Sequence, residues 1–153
     1  MARRTPLPPR RAAGFAAAAM TAVLATPAAL ATGTGPHGAI PPPDLQGRYA
    51  PRGDCAREPR VMVDGTGMFL EIGGRRGRVA PLDLCFSCAG GARYSGIEVW
   101  VSPKVGDQIP VIFRFNADER RGVLIVEDNA GMDLGPNLRA VIAASPLLRC
   151  PRR

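Results

Sequence analysis

"IPVIFRFNADERRGVLIVE", Ile109 to Glu127, carries the pattern that decides the fold. Its first half alternates: Val111, Phe113 and Phe115 fall on one side, and Ile112, Arg114 and Asn116 on the other. A period of two is the signature of a strand with one buried face. "DERRG" is then a polar turn, and "VLIVE" is apolar on both faces, as expected of a central strand or one covered on both sides. The two runs read as neighbouring antiparallel strands.

The same grammar extends outward. "YSGIEVWV" places Ile97, Val99 and Val101 on one face, opposite Glu98, Trp100 and Ser102. Further upstream, "RVMVD" and "MFLEI" are separated by "GTG", and "GGRRG" follows them; these are short strands between turn residues. Arg75, Arg76 and Arg78 in "GGRRGR" read as a solvated hairpin tip, with an anion site as the alternative. "RVAPLDLCF" contains Pro81, which marks an edge strand or a bulge. "QGRYA" opens the series. Near the end, "GPNLRAVIAASP" has Pro136 suited to a first helical turn, Leu138, Val141 and Ile142 at helical spacing, and Ser145-Pro146 as a stop. The expected fold is mainly β: an antiparallel meander or small β-barrel with one short C-terminal helix, stapled by disulfides.

The N-terminus predicts export. "MARRTPLPPRR" is basic, Ala12 to Ala25 is an uncharged apolar run, and small residues stand at Ala29 and Ala31. This is the layout of a signal peptide over 1–31, cleaved after Ala31. An uncleaved signal is the one membrane attachment expected, and two arginine pairs leave general or twin-arginine export open. Residues 32–43, "TGTGPHGAIPPP", read as a Pro/Gly-rich linker that holds the only histidine, His37. Residues 44–153 form a single β domain. The expected location is periplasmic or extracellular.

Charge adds little. Four of the 20 basic residues and none of the 13 acids precede Ala31, which leaves 16 against 13, a net charge of +3. Nucleic acid is therefore not an expected partner.

Four cysteines remain: Cys55, Cys85, Cys88 and Cys150. Cys85 and Cys88 have the spacing of a redox pair, but Gly90-Gly91 starts helices badly, and a helix N-terminus is what would activate such a thiol. A zinc site lacks its second close pair. An even count behind an export signal points to disulfides. If the chain stays extended through Ser87, the two sulfurs face opposite ways, and Cys55 and Cys150 each take one; this crossing arrangement is the preferred expectation. If the chain turns at Phe86-Ser87, Cys85–Cys88 and Cys55–Cys150 form instead. Arg52-Gly53-Asp54 reads as a turn before Cys55, although adhesion receptors can read that triplet.

No catalytic residue, metal ligand or cofactor site is expected. With no histidine in the domain, Ser–His and Cys–His pairs cannot form. Asp118 with Glu119, Glu127 with Asp128, and Glu98 with Glu71 are conceivable carboxylate pairs, more readily read as solvated. Tyr49, Tyr94 and Trp100 are the candidate binding residues; Trp100 is either a second core face or an anchor for a partner.

The export signal, Pro-rich linker, "GRYAPRGDC" opening and "LLRCP" ending resemble small exported bacterial β-proteins of the lysozyme-inhibitor-like or lipocalin-like kind. The resemblance lies in layout over residues 45–150 and carries no functional residue. It implies an exported, non-enzymatic domain that binds or inhibits a macromolecule of the cell envelope or extracellular space. The alternatives are a thiol–disulfide redox protein using Cys85 and Cys88, or a structural envelope protein.

Overall fold

The structure is a computed structural model that describes residues 38–90, 95–129 and 131–151. The expected signal peptide, His37 and Tyr94 lie outside the described residues. In chain order the strands are β1 (Gly47–Pro51), β2 (Arg60–Asp64), β3 (Gly67–Ile72), β4 (Arg75–Val79), β5 (Leu82–Cys85), β6 (Val99–Pro103), β7 (Val111–Phe115), β8 (Val123–Asp128) and β9 (Leu147–Arg149), with helix α1 (Pro136–Ala143) between β8 and β9. Among the described residues these nine strands make one antiparallel sheet in the order β4-β3-β2-β1-β9-β8-β7-β6-β5. The first and last strands meet in its middle, so the sheet curls into a nearly closed barrel whose seam lies between β4 and β5.

Period two builds the interior. Val61 and Val63, Met68 and Leu70, Val99 and Val101, Phe113 and Phe115, and Leu124 and Val126 all point inward into one cluster. Each fully buried side chain of this size contributes about 1.5–3 kcal/mol relative to exposure. Helix α1 begins at Pro136, whose missing N–H costs nothing in a first turn, and ends before Ser145-Pro146. It packs Leu138, Val141 and Ile142 against the same cluster, and Val141 is fully buried. The Ser145 hydroxyl accepts the Val126 N–H at 2.9 Å, tying the helix end to β8.

Three local readings change. The turn between β3 and β4 is only Gly73-Gly74, both at positive φ (60° and 69°), as a two-residue hairpin of this kind requires. Arg75, Arg76 and Arg78 are therefore strand residues on an edge, not a hairpin tip. Arg76 and Arg78 lay their guanidinium groups over the Phe69 ring, at 3.7 and 4.8 Å from its centre. Such charges also guard an edge strand against stray pairing. At the other edge, Gly38 bridges Leu82, the Ala39 N–H donates to the Leu82 carbonyl at 3.0 Å, and Pro41 is buried. The last six residues of the expected linker thus lie against the barrel. Finally, β9 is a strand that the sequence pattern did not mark.

The crossing disulfides are corrected. Cys55 bonds Cys150, 95 residues away with Cα atoms 5.9 Å apart, and Cys85 bonds Cys88 with Cα atoms 5.6 Å apart. β5 ends at Cys85, and the chain bends through Phe86 and Ser87, so the two close sulfurs meet. In the chain-entropy model the long bridge stabilises by about 4.7 kcal/mol and the short one by about 2 kcal/mol. The Arg52-Gly53-Asp54 stretch is a turn before Cys55, closed by the Gly53 N–H on the Ala50 carbonyl at 3.0 Å.

Candidate binding site

The inward residues of β6 and β7 dictate what their outer face shows. Because Val99, Val101, Phe113 and Phe115 fill the core, Trp100 and Arg114 point out. They face each other in register, and Cys85 faces Trp100 from the other side. The local disulfide, the indole and the guanidinium therefore form one row across three strands.

Glu98, just before β6, organises this row. It is only 3% exposed. Its Oε1 accepts the Trp100 indole N–H at 2.7 Å and the Arg114 Nε–H at 2.8 Å. Its Oε2 accepts the Asp118 backbone N–H at 2.8 Å. Arg114 also reaches Glu127 at 2.9 Å and Asp118 at 3.2 Å. A charge this deep is tolerable because its lone pairs are filled by donors.

The turn from Asn116 to Glu119 closes one side. Asn116, Asp118 and Glu119 all adopt positive φ (52°, 55° and 59°). The Asn116 side chain holds that backbone, donating to the Ile97 carbonyl at 3.0 Å and accepting the Gly122 N–H at 2.9 Å. Glu119 accepts the backbone N–H groups of Ile97 and Glu98 at 3.3 and 3.1 Å and the Ser95 hydroxyl. The result is an open cleft of about 400 Å³, lined by Ala89, Gly90, Glu98, Trp100, Arg114, Asp118 and Glu119.

Electrostatics follow from these bonds. Burial pushes the Glu98 carboxyl up, but the donors Arg114, Trp100 and the Asp118 N–H outweigh it and hold the group below the usual range. Glu119 is likewise lowered: desolvation raises it, and the Ser95, Ile97 and Glu98 donors overcome that. Glu98 raises the Arg114 guanidinium, joined by Glu127, against an opposing desolvation. All three groups are charged near neutrality, so neither Glu98 nor Glu119 is matched to donate a proton there.

The candidate residues separate. Trp100 lies half-buried and lines the cleft, outside the core cluster. Tyr49 is corrected from a binding residue to a core residue. It is fully buried, its hydroxyl donates to the Leu45 carbonyl at 2.9 Å, and its ring meets Phe115 edge-on at 5.2 Å. Burial pushes its phenol up to about 12. Cys55, Cys85, Cys88 and Cys150 are all in disulfides. Of the carboxylate pairs, Glu98 and Glu71 are separated: Glu71 pairs with Arg60 at 2.8 Å. Asp118 and Glu127 instead converge on Arg114, the residue whose role the sequence did not reveal. Its one sequence signal was a lone arginine between phenylalanines.

Among the described residues no group of three His, Cys, Asp or Glu side chains is arranged to hold a metal, and no helix is long and apolar enough to cross a membrane. Comparison with known proteins assigns no family: no family model, curated protein or solved structure matches the chain.

Proposed function

We propose that the chain is an exported, non-enzymatic β-domain that binds or inhibits a macromolecule of the cell envelope, with the Trp100 cleft as its contact face. The observation that carries this is the fixed indole. Trp100 stands at the rim of an open cleft, with its N–H anchored by a buried, ionised Glu98. A rigid aromatic with a wet edge loses little entropy on binding and is a common centre of interface energy. The basic–apolar–small N-terminal layout and the two disulfides support export.

The test is capture of a partner from envelope extract on the immobilised domain, in parallel with Trp100→Ala. The reading expects a partner retained by the wild type and lost by the variant while the variant remains folded. Equal capture by both would contradict it.

The exposure of Cys88 favours a second reading, thiol–disulfide exchange at Cys85–Cys88. It requires the reduced protein to reduce a peptide disulfide faster than a free monothiol does, and Cys88→Ser to abolish this.

A further inference from the structure

The turn after β1 holds an arginine where the backbone favours glycine. Arg52 has φ 57°, in the left-handed region, followed by Gly53 at 74°. A side-chain-bearing residue is strained there, and glycine is not. The backbone turn itself would form equally well with glycine at this position. The Arg52 side chain is exposed and, among the described residues, makes no hydrogen bond or ion pair. Strain retained without a structural return is a mark of function.

What Arg52 does line is a shallow depression of about 430 Å³, shared with Pro51, Arg57, Ala144, Pro146 and Leu148. Its floor is apolar, and Leu148 is one of the few large apolar side chains left exposed, at 39%. Arg57 is also exposed and without a side-chain partner among the described residues. No acid lines the depression. Asp54, next in the turn, spends its Oδ1 on the Ala56 N–H at 3.0 Å. The Cys55–Cys150 bridge pins the end of this turn to the residue after β9, so both arginines are carried on a fixed frame.

We propose that this shelf docks an acidic polypeptide segment of a partner, with carboxylates on Arg52 and Arg57 and an apolar side chain on the Pro51–Pro146–Leu148 floor. Two free cations over an apolar, acid-free hollow are complementary to that chemistry. A hollow receives a side chain, whereas a bilayer surface is met by a protrusion. The shelf is built from other elements than the Trp100 cleft and stands independently of it.

The probe is a short fluorescent peptide alternating glutamate and leucine, followed by anisotropy, with phosphatidylglycerol vesicles as the second arm. The wild-type protein is expected to bind the peptide, less tightly as salt rises. Arg52→Gly and Arg57→Gln are each expected to weaken binding roughly tenfold, and Trp100→Ala to leave it unchanged. Arg52→Gly is expected to melt at the same temperature or higher. Peptide binding that is absent, or that stays at wild-type strength in both arginine variants, would overturn the proposal. So would vesicle binding, without peptide binding, that both arginine variants abolish, and so would a lower melting temperature of Arg52→Gly, which would give Arg52 a role in the fold.

Discussion

Two arginines of this molecule live under opposite conditions. Arg114, on the outer face of β7, is ringed by Glu98, Asp118 and Glu127, and Glu98 also holds the indole and the Asp118 backbone N–H. Arg52, on the turn after β1, sits in a strained backbone and, among the described residues, makes no ion pair. The first is consumed by the architecture of the site and the second is left available. Net charge does not distinguish them; partner geometry does.

The predictions that break or sharpen this contrast begin with the frame beneath Arg52. Replacing Cys55 and Cys150 by serine should cost the most, about 4.7 kcal/mol by loop length, read as a fall in the denaturation midpoint. The same change at Cys85 and Cys88 should cost about 2 kcal/mol. An equal loss from both would show that loop length does not govern the bridges.

Arg114→Ala should cost about 3 kcal/mol, because it strands the buried Glu98 carboxylate without its cation. It should also change Trp100 emission, since Glu98 holds the indole. A loss within the usual surface range of about 0.5 kcal/mol would mean that the ring of carboxylates is decoration.

Acid tests the same network. Glu98 and Glu119 are both lowered in the folded state. Their contribution is therefore fully present above the unfolded glutamate value of about 4.3 and is lost as pH falls below it, through the folded values. Stability of the wild type should drop across that acid window, and less so in Glu98→Gln.

The smallest effect is at Arg52, where glycine should stabilise by about 0.5–1 kcal/mol through relief of the left-handed conformation. A melting curve decides the sign.

Much of the barrel was legible because burial on one face leaves a period of two. "RVMVD", "MFLEI" and "IPVIFRF" fall on β2, β3 and β7 almost residue for residue. β9 was not legible: three residues after a helix cannot display a period. Tyr49 was misjudged for the same reason, since "QGRYA" is too short to show which side faces in. The disulfide pairing turned on one bend, at Phe86 and Ser87, which no neighbouring residue announces. At the candidate site, Trp100 could be picked out as an outward aromatic among apolar residues. Its partners could not, because Glu98, Asp118 and Glu127 reach Arg114 only through cross-strand register and a turn of three left-handed residues. Local pattern marks which residues face out; the register decides which of them meet.

Trp100 is the one tryptophan of the chain, so its emission reports the proposed contact face directly. The decisive measurement is a titration of the envelope partner captured on the wild-type domain, followed by Trp100 fluorescence. The account predicts a saturable shift in emission, and no capture by a folded Trp100→Ala variant. Saturable binding that leaves the emission unchanged, with capture intact in Trp100→Ala, would contradict it.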